Sequence, residues 1–146
     1  MSELGIYQAL NRLLTVLYRS LPMYLTYASP WINRGDERAV AALKHIVEDQ
    51  KQMATRVAQC IMQHHGPIEL GEYPIEFLDM HDLSLDFLLT MLVEYQKRDV
   101  ATIEQCVAAV HADRQAAVLA EEALGAARGH LETLEELAGQ LSKTNS

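Results

Sequence analysis

Four long stretches of this sequence carry apolar residues at every third or fourth position. They run from Ile6 to Ala28, from Val40 to His64, from Leu83 to Val110 and from Arg114 to Leu141. This spacing matches the turn of an α-helix, about 3.6 residues, and puts the apolar side chains of each stretch on one face. Such faces are stable in water only when they pack against one another. The pattern therefore predicts an all-α fold built from four helices.

Glycine and proline mark where these helices should bend or stop. Only 7 glycines and 4 prolines occur, too few for a β-fold with many turns. Pro22 lies within the first stretch and predicts a kink there, because proline removes a backbone hydrogen bond. Gly66 and Pro67 end the second stretch, with Gly66 expected in the left-handed position that follows a helix. Asp36 and Asp113 are expected to cap the second and fourth helices.

The segment between the second and third helices, from Pro67 to Asp82, lacks helical periodicity and is predicted to be a long connection. A simple up-and-down bundle needs three short loops, whereas one long crossover in the middle gives the ferritin-like arrangement. We therefore expect a ferritin-like four-helix bundle with one long crossover between helices 2 and 3. It should form a single domain over residues 1–141, followed by a disordered tail at 142–146.

Charge and composition limit the kinds of partner that the protein can bind and the compartment in which it is expected. The chain carries 12 basic and 20 acidic residues, a net charge of −8, which argues against non-specific binding to nucleic acid or to anionic lipid. No run approaches the roughly 18 apolar residues of a membrane span, and the first residues lack a signal-peptide pattern. Cys60 and Cys106 lie far apart and are expected in the core. We predict a cytoplasmic protein that binds neither nucleic acid nor membrane.

Three segments share a likeness with one known family. They are Leu10–Leu14 continuing through Tyr24 to Ala28, then Asp49–Arg56, and finally Gly129–Leu134. The first resembles the opening helix of the bacterioferritins, and the second resembles their second-helix metal motif with its ligands replaced. The third is similar to the turn after their last metal histidine. The resemblance covers about residues 7–141 and implies membership of the ferritin-like superfamily.

This resemblance implies a di-iron site, which ferritin-like oxidases build from one Glu on each of two helices and a Glu-x-x-His pair on each of the other two. Carried over to this chain, the six ligand positions hold, in order, Leu17, Gln50, Met53, Glu94, Ala127 and His130. Only Glu94 and His130 keep a residue type that binds iron, and no Glu-x-x-His occurs in the sequence. A bridged iron pair needs several anionic oxygens. We expect the di-iron site to be absent.

A polar cluster inside the bundle is expected in place of the metals. Its predicted members are Gln50, Met53, Glu94, His130, Tyr18 and Tyr24. Unpaired buried polar groups cost about 1–3 kcal/mol each, which favours mutual hydrogen bonding, for example between Glu94 and His130. The other interpretation is a pocket for a small molecule or a single metal ion.

Two functions are compatible with these residues. We predict a non-catalytic ferritin-like protein, a pseudo-ferroxidase without cofactor, that acts as a scaffold or small-ligand binding module. The resemblance implies a homodimer through the helix pair that bacterioferritin-like proteins use, with Leu25, Tyr18 and Tyr7 supplying apolar surface. The alternative is an iron storage or oxidase protein with unorthodox ligands. Lys51 stands where bacterioferritins have their haem methionine, so haem binding is not expected, and the acidic charge disfavours a DNA-protecting mini-ferritin.

Overall fold

The computed structural model describes residues 3–28, 37–80 and 83–144. Every regular element within these ranges is a helix and none is a β-strand, so the predicted all-α class is confirmed. The predicted cap Asp36 lies outside the described residues. The elements in chain order are α1 (Glu3–Tyr18), α2 (Leu21–Ala28), α3 (Glu37–Gln63), a 3₁₀ helix (Ile75–Met80), α4 (Leu85–Val110) and α5 (Arg114–Thr144).

The directions of the long helices follow from contacts at their ends. Helix α1 packs against α3 and α4, and α5 packs against the same two helices. Tyr7, near the start of α1, donates to the backbone oxygen of His64, just after the end of α3. Gln115, near the start of α5, donates to Gln63 at the end of α3. Both α1 and α5 are therefore antiparallel to α3.

Helices α4 and α5 are joined by a short turn and pack along each other, so they are also antiparallel. It follows that α4 runs in the same direction as α3. The chain that leaves the end of α3 must return along the length of the helices before α4 begins. The long connection predicted between Pro67 and Asp82 lies in this part of the chain.

Asn11 of α1 fixes the start of this return. Its side chain is buried, and its Nδ2 donates to the backbone oxygen of Pro67 at 2.8 Å. Its Oδ1 accepts from the backbone N–H of Glu69 at 2.7 Å. Further along, Phe77 and Met80 of the 3₁₀ helix are buried among apolar side chains. The connection is therefore packed onto the helices at both its beginning and its 3₁₀ helix.

The first predicted helix is divided just before the proline that was expected to kink it. The break lies at Arg19 and Ser20, between α1 and α2. Ser20 Oγ accepts from the backbone N–H of Met23 at 3.3 Å, which caps α2. Pro22 lies in the first turn of α2, where its missing N–H costs no helical hydrogen bond. The predicted kink at Pro22 is replaced by a capped break upstream of it.

The end of α3 also differs from the prediction by one residue. His65, with φ of 59°, takes the left-handed position expected for Gly66. Gly66 follows it, and its N–H donates to the oxygen of Ile61 at 2.9 Å, as in a Schellman motif. A Cβ on Gly66 would lie 2.8 Å from the ring of Tyr7, so glycine is required there by close packing.

The boundaries of α5 agree at its start and differ at its end. Asp113 Oδ1 accepts from the N–H of Ala116 at 3.0 Å, which confirms the predicted cap. The helix continues to Thr144, beyond the predicted boundary at Leu141. The predicted disorder of 142–144 is therefore corrected to helix, and residues 145–146 lie outside the described part of the chain.

Candidate functional site

Buried polar residues form a layer between two apolar clusters, and we call it the polar layer. One cluster contains Leu13 of α1 and Val57 of α3, and the other contains Leu25 of α2 and Leu43 of α3. Between the two clusters, each helical segment contributes buried polar side chains. They are Ser20, Gln50, Gln96 and His130, with exposed fractions of 2% to 8%. A polar group this deeply buried either forms a hydrogen bond with another residue, binds a ligand, or lowers the stability of the fold.

Ser20 and Gln50 are hydrogen-bonded to each other. The Ser20 hydroxyl donates to Gln50 Oε1 at 2.7 Å, and both side chains are buried. Since Ser20 also caps α2, its oxygen ties the break between α1 and α2 to the middle of α3. Gln50 is thus held in place by a local feature of the first helical segment.

Gln96 is only half satisfied. Its Nε2 donates to the backbone oxygen of Ala127 at 3.0 Å, which links α4 to α5. Its Oε1 is buried and has no hydrogen-bond partner within the ranges described. This acceptor therefore faces the interior of the bundle unpaired.

His130 is the second half-satisfied member. Its Nε2 lies 3.4 Å from Asp49 Oδ2, but the two atoms are not aligned for a hydrogen bond. The same carboxylate oxygen is 3.6 Å from Nε2 of the exposed His45. Burial lowers the pKa of His130 below its usual 6.5, outweighing the attraction of Asp49, and His45 lowers it further. The imidazole of His130 is therefore neutral at pH 7.

Asp99 adds a carboxyl group to this region, one turn beyond Gln96 on α4. Burial raises the pKa of Asp99 from 3.8 to about 7, although Arg98 acts in the opposite direction. About half of these carboxyl groups are therefore protonated at neutral pH. Among the described residues, Asp49 and Asp99 are the acids that border the polar layer, beside a neutral His130 and the amides of Gln50 and Gln96.

A small cavity lies at the centre of this region. Its polar lining consists of Asp49, Gln50, Gln96, Asp99 and His130, and its apolar lining includes Leu17, Met53 and Ala127. The centre of a water molecule could occupy a volume of about 10 Å³ in this cavity, so the cavity has room for about one water. Among the described residues, no three His, Cys, Asp or Glu side chains are arranged to hold a metal ion.

Five of the predicted site residues meet at this cavity, and they are Leu17, Gln50, Met53, Ala127 and His130. Glu94 does not meet them, because its side chain is 61% exposed and pairs with Lys97 at 3.6 Å. The reason is helical register: Val93 and Gln96, three residues apart, are the buried positions of this turn. The predicted hydrogen bond between Glu94 and His130 is therefore wrong.

The two predicted tyrosines also lie elsewhere. Tyr18 is exposed and lies 5.2 Å from the guanidinium of Arg19. Tyr24 is buried, but its ring packs against Tyr73 at 5.1 Å and against Phe77 at 5.5 Å. Tyr24 belongs to the packing between α2 and the connection, whereas Tyr18 lies on the surface at the end of α1, so neither lines the cavity.

Gln96 and Asp99 were missed by sequence reasoning, although a signal for them exists. The apolar stripe of the third predicted helix passes through Leu92 and Ile103, and steps of four and three residues between them fall on Gln96 and Asp99. Both are polar and both interrupt the stripe. The register of the stripe therefore predicts that Gln96 and Asp99 face inward, whether or not a ligand glutamate is preserved.

Comparison with protein-family models, with curated proteins and with solved structures finds no match to this chain. Within the part of the chain that the structure describes, no helix is both long enough and apolar enough to span a bilayer. The function must therefore be inferred from the polar layer and from the surface.

Proposed function

We propose that this chain is a ferritin-like bundle, resembling the bacterioferritins, in which a closed polar layer has replaced the di-iron centre. The connectivity supports this. Taking α1 and α2 as one segment, the first and last helical segments each pack on α3 and α4, and a long return lies between α3 and α4. One long crossover of this kind is typical of ferritin-like folds, whose metal sites lie on facing helices in the bundle core. In this proposal the polar layer corresponds to that metal site.

The composition of the polar layer is the observation that carries the proposed loss of iron chemistry. Leu17 and Ala127 supply no ligand, and Gln50 is engaged by Ser20. Among the described residues, the carboxyl groups beside the cavity are Asp49 and Asp99, and burial raises the pKa of Asp99 to about 7. Iron pairs need several anionic oxygens, so these residues do not fit a di-iron centre. The proposed function is a non-catalytic scaffold or binding module, a pseudo-ferroxidase.

Aerobic loading with ferrous iron tests this function. We expect the protein to oxidise iron no faster than buffer alone and to retain less than one iron per chain after desalting. A ferroxidase-competent ferritin measured under the same conditions is the positive control. Rapid protein-dependent oxidation with about two irons retained per chain would overturn the proposal.

The alternative function, iron binding through unorthodox ligands, has one specific observation in its favour. His130 Nε2 and Gln96 Oε1 are buried without hydrogen-bond partners, and Asp49 lies beside the histidine. Elemental analysis of the protein as purified separates the two functions. Stoichiometric metal that is lost in His130→Gln but kept in the surface variant His111→Gln would establish the alternative.

The scaffold role includes a homodimer, but the surface for it differs from the prediction. Of the three residues predicted to supply it, Tyr18 is exposed, but Leu25 is fully buried, and Tyr7 is half-buried and bonded to the backbone at the end of α3. Ile75 and Leu78 of the 3₁₀ helix are 80% and 58% exposed. Residues three apart share a face of a 3₁₀ helix, so these two form an apolar surface. We place the dimer contact there.

Sedimentation equilibrium tests the homodimer. We expect a dimer at micromolar concentration that dissociates in the double variant Ile75→Ser with Leu78→Ser. Val118→Ser, an equally polar change at an exposed position of α5, should leave the dimer intact. A monomeric wild-type protein would refute the homodimer while leaving the iron measurements unaffected.

A further inference from the structure

A groove of about 680 Å³ lies on the outer surface where α1, α2, α3 and the connection meet. This volume falls within the roughly 300–1,000 Å³ typical of small-molecule sites. The residues that matter for its chemistry are Tyr18, Arg19, Tyr27, Lys51, Leu70 and Tyr73. The groove is separate from the cavity in the polar layer, and no described residue lines both.

The charge of the groove is opposite to the charge of the protein. Among the residues that the structure describes, its lining contains two cationic side chains, Arg19 and Lys51, and no carboxylate, although the chain has a net charge of −8. Neither cation forms an ion pair with another described residue. A cationic concave surface with apolar walls attracts anions and holds them more strongly than an exposed lysine does.

Arg19 is held in position before any ligand arrives. Its guanidinium carbon lies 5.2 Å from the ring centre of Tyr18 and 4.9 Å from that of Tyr73. Its Nε donates to the backbone oxygen of Gly71 at 3.1 Å, and Gly71 has a positive φ of 70°. The two Nη atoms keep their donors free of partners in the described structure. A guanidinium fixed in this way presents a fork of donors that suits a carboxylate or a phosphate.

The remaining lining supplies flat apolar area. Tyr18 is partly exposed and Tyr27 is 84% exposed, and Met23 and Leu70 lie in the same groove. Tyrosine rings favour stacked or edge-on contact with another aromatic ring. We propose that this groove binds a planar aromatic anion, either a carboxylate or a phosphate ester, with its charge on Arg19 and Lys51 and its ring on the tyrosines. The site is independent of the polar layer and of the proposed pseudo-ferroxidase role.

Isothermal titration of the full chain with three probes tests this site. The probes are 2-naphthyl phosphate, inorganic phosphate and 2-naphthol, which separate the contributions of charge and ring. We expect 2-naphthyl phosphate to bind at least about tenfold more tightly than either of the others, and more weakly as salt is added. Arg19→Gln should weaken the binding of 2-naphthyl phosphate by about tenfold or more. Arg19→Lys should weaken it by less, because lysine keeps the positive charge and loses only the forked set of donors.

Lys97→Gln is the matched control, because it removes the same charge from an exposed position of α4 outside the groove. It should change the affinity by less than about twofold. Tyr27→Ser should weaken 2-naphthyl phosphate while leaving inorganic phosphate unchanged. Equal binding of 2-naphthol and its phosphate, or an unchanged affinity in Arg19→Gln, would overturn the proposal. So would a dimer that dissociates in Tyr27→Ser without any probe binding, because a second copy would then cover the groove.

Discussion

Two buried polar features of this protein differ in how completely they are satisfied. The Asn11 side chain donates to Pro67 and to Tyr7 and accepts from Glu69, so both of its polar atoms are bonded. In the polar layer, one acceptor of Gln96 and one nitrogen of His130 have no hydrogen bond to any described residue. A buried polar group with all its hydrogen bonds stabilises the fold, whereas one that lacks a partner lowers the stability. We expect such a group either to bind a ligand or to remain from an ancestral binding site. The contrast separates structural polar residues from candidate site residues.

The largest expected effect is the pH dependence that Asp99 gives to the polar layer. The pKa of Asp99 is about 7 when folded and near 3.8 when unfolded, so the folded state holds the proton more tightly. The free energy of unfolding should therefore fall as pH rises from about 4 to about 7, by up to about 4 kcal/mol, and be flat above. Urea unfolding across this range measures it.

Asp99→Asn should remove this pH dependence without altering the helical content. His130 acts in the opposite sense, because its pKa is lowered on folding, so its contribution to stability is lost as pH falls below 6.5. His130→Gln isolates that part. If Asp99→Asn and wild type show the same pH profile, Asp99 is solvated and the polar layer is not closed.

The second prediction concerns Asn11, the buried side chain whose polar atoms are both hydrogen-bonded. Asn11→Leu should lower the free energy of unfolding by about 2–3 kcal/mol, because the backbone oxygen of Pro67 and the N–H of Glu69 lose their partner. The matched variant Asn11→Asp keeps the acceptor for Glu69 but sets a buried carboxylate oxygen against the backbone oxygens of Pro67 and Tyr7, so at neutral pH its loss should be at least as large. Urea unfolding provides both values. A loss below about 0.5 kcal/mol in Asn11→Leu would show that the start of the connection is not anchored by this side chain.

Hydrophobic periodicity was sufficient for the fold class and for most helix limits. The step of three and four residues predicted α3 and α4 within a few residues, and Asp113 marked the start of α5 through its own chemistry as a cap. It could not reveal the 3₁₀ helix, because two buried residues, Phe77 and Met80, are too few to show a period. Nor could it place His65 in a left-handed conformation, which a neighbouring glycine would ordinarily adopt.

The candidate site was predictable only in part, for a physical reason. Gln50 and His130 lie on clear apolar stripes, so their inward direction follows from register alone. The resemblance to the bacterioferritins assigns Glu94 to the site because glutamate is a ligand type of that family, yet its side chain lies on the solvent side of α4. The partners of a buried group depend on the packing of other helices, as with Ser20, whose hydroxyl reaches Gln50 only because the first helical segment breaks there.

The third prediction tests that break directly. Ser20→Ala should lower the free energy of unfolding by about 1–2 kcal/mol, because it removes the cap of α2 and leaves Gln50 Oε1 unpaired. Thermal unfolding by circular dichroism measures the effect. Thr26→Ala, which removes a hydroxyl bonded to the backbone oxygen of Pro22 on the exposed side of α2, is the control and should cost less. Equal losses in the two variants would mean that the Ser20–Gln50 contact adds nothing to its cap.

The smallest expected effect gives the sharpest test of the comparison. Gln96→Leu removes the unpaired Oε1 together with the bond to Ala127, whose oxygen lies inside α5 and is also served by the helix. Replacing a half-satisfied polar group by an apolar one of similar size is nearly neutral or stabilising, so the change should lie between zero and about 1 kcal/mol of added stability. The same leucine at Asn11 is expected to be costly. Urea unfolding of the two leucine variants side by side decides the matter: similar losses would show that Gln96 is as structural as Asn11.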